Sequence, residues 1–190
     1  MKNLPWFEKL SFWLVAILTP FVILMISIRL LISPLFAQIE YQLPGFPEDP
    51  YGFTIEDRLR WSEPSIRYLV NSESIDYLGS LRFESGEPIF NARELSHMQD
   101  VKDVVTGMRV ALILFVIILL ITTVFHMRRG NRALILQAFH IGGWGVLGLI
   151  TAILIFVAIS FNQLFTWFHQ VFFTSGTWQF YTSDTLIRLF

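Results

Sequence analysis

Phe90–Val105 reads FNARELSHMQDVKDVV and runs, without a proline, into the apolar block that follows Gly107. Asn91 stands three residues ahead of Glu94, the pattern of a helix N-cap with its box partner. On a helix that starts there, Glu94, His97 and Asp100 are spaced three apart and share one face, an acid–His–acid ridge. His97 precedes Gly107 by ten residues, about 15 Å at helical rise. The ridge therefore stands on the extension of a membrane helix, near the bilayer surface rather than at its centre. Two readings fit it. One is a solvated helix face with a capping glutamate and an ordinary surface histidine. The other is an acid/base site at the membrane surface, because histidine titrates near neutral pH.

Composition supports the membrane setting. Of 190 residues, 54% are hydrophobic and only 15% charged. A net charge of −1, with no basic stripe outside the membrane flanks, argues against a nucleic-acid partner. The chain has no cysteine, which excludes disulfides, thiolate catalysis and cysteine-ligated metal.

Outward from the ridge, the fold class expected is an all-α membrane protein, a helical transmembrane bundle with a small extracytoplasmic α+β cap. Residues 1–36 form the first span, apolar from Leu10 to about Phe36, kinked at Pro20 and uncleaved. Arg29 near its outer end either snorkels to the interface or binds a lipid ester or head group. Residues 37–106 form the cap. It is expected to hold a short helix capped by Thr54 and Asp57, another starting at Ser62-Glu63-Pro64, and a hairpin around Ser85-Gly86. At some seventy residues its core is thin, so Phe53, Trp61, Leu69, Tyr77 and Phe83 are expected to pack on the membrane helices.

Residues 107–161 carry the second and third spans, joined by a loop with Arg128, Arg129 and Arg132. With Lys2 and Lys9 these arginines mark the cytoplasmic side, leaving the cap and the C-terminal segment outside. Gly142, Gly143, Gly145 and Gly148 allow close helix packing. Residues 162–190 begin with an aromatic interfacial helix around Trp167, Phe168, His169, Phe172 and Phe173. A turn over Ser175–Trp178 and a last capped segment follow.

ELSHMQDVK, WFHQVFF and TSDTLIRLF, in this order, resemble the bacterial integral-membrane family of the lipoprotein intramolecular transacylase. The resemblance implies that His97 and His169 are the essential pair. The substrate it implies is a lipoprotein whose N-terminal cysteine carries diacylglycerol and a free α-amine, with the sn-2 acyl chain moved onto that amine. Relatives run on from TSDTLIRLF into a further span, which the resemblance leaves missing here. The protein is expected to be a monomer in the cell membrane, without cofactor or metal, its active site facing the extracytoplasmic side and its partners the lipid bilayer and the diacylated lipoprotein.

Simple chemistry suits the implied pair. Aminolysis of an ester needs a deprotonated amine, and an α-amine has a pKa of about 8. One imidazole can act as general base while a second stabilises the oxyanion. Glu94 or Asp100 is a candidate to orient His97; Arg29, Asp184 and Arg188 are candidates for substrate binding, with a structural role as the alternative for the last two. Other readings remain. Zinc could be held by His97, His169 and an acid. His126 and His140 could ligate haem or pigment from adjacent spans. The chain could also be a non-enzymatic subunit of a membrane complex.

Overall fold

The computed structural model describes residues 5–173 and 176–190. Lys2 and Ser175, which enter the orientation and turn expectations, lie outside the described residues. Among the described residues seven helices follow in order: α1 (Trp6–Leu31), α2 (Pro34–Tyr41), α3 (Ile55–Val70), α4 (Asp76–Gly79), α5 (Ala92–Arg128), α6 (Arg132–Phe172) and α7 (Thr185–Leu189). By length and composition α1, α5 and α6 can each cross a membrane. The chain is a membrane protein.

The apolar run expected to end near Phe36 is divided earlier. α1 stops at Leu31, and Ser33 caps a new helix, its hydroxyl accepting from Phe36 N–H, with Pro34 at the first helical positions. Proline pushes the preceding residue out of the helical region, and Ser33 is extended (φ −146°, ψ 143°). Pro20, by contrast, lies within α1, which continues through it.

The chain forms two compact units. The first takes in α1 as far as Ile28 together with Met108–Phe165. Phe12, Val15, Ile135 and Ala138 form its buried cluster, with Leu119 packed against them. Pro20 has no N–H to give to the Ala16 carbonyl four residues back. That carbonyl and Thr19 face Gly142, where an added Cβ would meet Thr19 Cβ at 2.7 Å and Ala16 O at 3.0 Å. Of the four glycines expected to allow close packing, Gly142 is thus the tightest, while Gly143 and Gly148 face open space. Gly130 turns the chain between α5 and α6 with φ +79°. Beside it Asn131 Nδ2 donates to Glu8 Oε1 at 2.8 Å, and Arg129 stacks on Phe7. The start of α1 and the arginine turn therefore share one end of this unit.

The second unit comprises Arg29–Gly107 and Thr166–Phe190. Here the expected α+β cap is corrected: among the described residues it contains helices and no strand. The hairpin shrinks to one antiparallel bridge, Arg82–Pro88, closed over Gly86 (φ +89°). Pro88 cannot donate to a ladder, which limits its growth. The two short helices expected near Thr54 and Ser62 are one helix, α3. Thr54 and Asp57 form a full capping box, and α3 continues through Pro64.

Within this unit the residues expected to be buried pack in one cluster. Trp61, Tyr68, Leu78, Ile89 and Phe90 bury against Met98 of α5 and Leu186 and Leu189 of α7, with Phe53, Leu69, Tyr77 and Phe83 packed around them. The C-terminal motif supplies the mass that seventy residues alone lack.

Candidate active site

α5 begins as its sequence requires. Asn91 Oδ1 accepts from Glu94 N–H at 3.1 Å, and Glu94 Oε2 accepts from Asn91 N–H at 2.7 Å. Glu94 is only 1% exposed, so it is not part of a solvated ridge. Its other oxygen accepts from Leu186 N–H at 2.7 Å, the start of α7. Burial pushes the Glu94 carboxyl above the usual carboxylate range, against the pull of these two N–H groups. Glu94 therefore ties α7 to the helix that carries His97.

α5 has 37 residues, about 55 Å at helical rise, far more than a ~30 Å hydrocarbon core. Its first turns carry Arg93, Glu94, Asp100, Lys102 and Asp103, whereas the stretch from Val110 onward is apolar. α6 breaks at Ser160 (φ −157°, ψ 75°), which separates the third span from the aromatic helix ending at Phe172. His169 sits on that last helix.

The two elements bring His97 and His169 together. Their ring centroids lie 6.2 Å apart with planes inclined by 21°. Phe173 lies 4.9 Å from the His97 ring and 5.4 Å from the His169 ring. Phe180 closes the other side of His97 at 5.3 Å, and Trp178 flanks His169 at 4.9 Å. Nδ1 of His97 is buried and has no hydrogen-bond partner among the described residues. Neither Glu94 nor Asp100 donates to or accepts from that atom among the described residues. Burial, then the neighbouring His169, hold the His97 imidazole below its ordinary pKa, while the charge of Asp100 pulls it upward. The arrangement offers two imidazoles in an aromatic enclosure, one of them biased to be neutral.

The remaining candidates lie apart from the pair in their bonding. Asp184 accepts from Arg93 Nη2 at 2.9 Å, Asn91 Nδ2 at 3.2 Å and Tyr181 N–H at 2.9 Å. Arg188 holds Asp49 through Nη2 (2.8 Å) and Nε (3.1 Å) and stacks 3.3 Å over Phe53. Burial raises the Asp49 carboxyl, but Arg188 and the Phe53 N–H outweigh it and hold the group below its usual range. Both motif charges are thus engaged in fastening the C-terminal segment. Arg29 donates from Nη1 to the Ile32 carbonyl at 2.9 Å, at the end of its own helix.

The second histidine pair is different. His126 is fully buried with both ring nitrogens unpartnered among the described residues, and His140 Nε2 accepts from Trp144 Nε1 at 3.1 Å. That bond engages one of the two ring nitrogens of His140. Among the described residues no three His, Asp or Glu side chains gather as a metal-binding group. Sequence reasoning missed Phe180, Trp178 and Asp49. Phe173, four residues after His169, was visible as a helical neighbour; Phe180 and Trp178 meet the pair, and Asp49 meets Arg188, only through tertiary folding.

Comparison with known proteins identifies the family. Residues 13–190 match the family described as lipoprotein intramolecular transacylase Lit. A protein of Aquifex aeolicus (strain VF5), described as uncharacterized, is 30% identical over 96% of this chain and 82% of its own length. The in meso structure of the membrane integral lipoprotein intramolecular transacylase Lit from Bacillus cereus superposes with a TM-score of 0.76 at 18% identity, covering 96% of this chain and 81% of that one. At that identity the likeness speaks for the fold, while the family match speaks for descent. The chain belongs to the lipoprotein intramolecular transacylase family.

Proposed function

We propose that this protein moves the sn-2 acyl chain of a diacylglyceryl-cysteine lipoprotein onto the lipoprotein's own N-terminal amine. The observation that carries the reading is the His97–His169 pair, 6.2 Å ring to ring, with a buried and unpartnered Nδ1 on His97. The amine nitrogen attacks the ester carbonyl carbon, and one imidazole takes its proton. The second imidazole, protonated, stabilises the tetrahedral oxyanion. The carbon–oxygen bond to glycerol then breaks, and the departing alkoxide receives a proton from the pair. An amide and a free sn-2 hydroxyl result, with both imidazoles restored and no outside reactant consumed.

Amine and ester belong to one molecule, so alignment alone supplies much of the rate. The pair works at the extracytoplasmic face, a side that Arg128, Arg129, Arg132 and Lys9 favour by marking the opposite one.

Intramolecular transfer leaves substrate mass unchanged. The test is therefore fragment-ion mass spectrometry of a diacylglyceryl lipopeptide after incubation with purified protein, with and without mild base. One base-resistant acyl chain on the amine is expected. Two base-labile acyl chains, or a product heavier by a chain drawn from bulk phospholipid, would rule the reaction out.

A further inference from the structure

α2 presents apolar side chains on two opposite faces. Ala37 and Tyr41 are buried in a cluster with Ile66, against which Ile32, Phe46 and Leu59 pack. Tyr41 is held further by its hydroxyl, which donates to the Leu189 carbonyl. Counting about 100° per residue, Leu35, Phe36 and Ile39 fall within an arc of about 100° roughly opposite Ala37 and Tyr41. Leu35 is 64% exposed, Ile39 54% and Phe36 39%, and Leu43 just beyond the helix is 48% exposed. The exposed polar residues Gln38 and Gln42 lie to one side of this stripe. With its inner face fixed by packing, α2 cannot roll to bury the outer one.

The surroundings identify what covers it. Only Ile32 and Ser33 separate α2 from α1, so α2 starts within roughly 10 Å of the end of a membrane span. The last residues of that span, Leu30 and Leu31, are themselves exposed apolar side chains. Exposed apolar side chains thus run along the sequence from the end of α1 into the outer stripe of α2. We propose that α2 lies along the membrane–water boundary with Leu35, Phe36 and Ile39 inserted among lipid, a membrane contact additional to the three spans. Short amphipathic helices hold position there by buried apolar area, and the polar flank at Gln38 and Gln42 suits the head-group level.

The chain has no cysteine, so single introduced cysteines can carry spin labels in phosphatidylcholine–phosphatidylglycerol vesicles. Collision with oxygen, which concentrates in lipid, is compared with collision with a water-soluble nickel chelate. Leu114→Cys, on an exposed position of the α5 span, sets the lipid reference, and Ser85→Cys, at the exposed turn, sets the water reference. Ile39→Cys and, independently, Leu35→Cys are expected to show an oxygen-to-nickel ratio near that of Leu114→Cys and severalfold above that of Ser85→Cys. A ratio matching Ser85→Cys would overturn the proposal. So would exclusion of both reagents with spin–spin broadening, which would make the stripe a contact between two copies. Should one variant not fold, the other decides.

Discussion

Two histidine pairs occur in this chain, and they differ in what surrounds the ring nitrogens. His97 and His169 approach each other from separate elements, half-buried within an aromatic enclosure. His126 is sealed in the membrane unit beside Phe125, and His140 is engaged with Trp144 one turn along its own helix. In the proposed reaction the first pair offers two titratable groups to a common reactant. In the second, one ring fills space and the other serves a local bond. Residue type does not separate them; convergence does. Histidine becomes a candidate for chemistry where the fold brings a second proton-carrying group within reach.

Substitution breaks the comparison most sharply. Replacing His97 or His169 with alanine is expected to lower acyl transfer by at least about 100-fold, the usual scale for losing an acid–base group. His140→Ala should leave transfer close to wild type. His126→Ala empties a fully buried site, so it should lower thermal stability by about 1–3 kcal/mol while activity per folded molecule holds. Equal losses of transfer across all four variants would erase the distinction between the pairs.

A smaller effect sharpens the account of His97. Burial and His169 lower its pKa, and Asp100 opposes them. A folded-state pKa below the unfolded value of about 6.5 means the folded chain takes up this proton less readily. Stability is therefore unaffected well above that pH and is lost as pH falls from the unfolded value towards the folded one. Ring-carbon NMR of labelled histidine should show His97 titrating below the ordinary imidazole value, and lower still in Asp100→Asn. Titration at or above that value, or no movement in Asp100→Asn, would show that these charges and the burial do not govern the ring.

Much of this was legible in the residues because it rests on local rules. The capping box at Asn91 and Glu94, the three apolar spans and the aromatic helix after Ser160 follow from spacing and hydropathy. Three motifs in order pointed to the family and to both histidines. The failures share another cause. Leu35 and Phe36 read as the end of a span because an apolar run conceals a helix break at Ser33-Pro34. Glu94 or Asp100 is a candidate to orient His97 because three-residue spacing gives the face; that the Glu94 carboxylate also accepts from Leu186, far along the chain, no spacing foretells. The hairpin expected around Ser85-Gly86 shrinks to one bridge because the proline at 88 cannot extend a ladder. Asp49, Trp178 and Phe180 carried no local signal, since their roles exist only once the C-terminal segment folds back.

The central claim is that His97 and His169 act as one site, and the double variant tests it most directly. Transfer rates are measured for His97→Ala, His169→Ala and the two combined, each purified and checked for fold in the same vesicles, on one diacylglyceryl lipopeptide. Groups that act as a unit fail together. The double variant is therefore expected to be about as slow as either single one. Losses that multiply, or a single variant that retains wild-type transfer, would contradict a shared site.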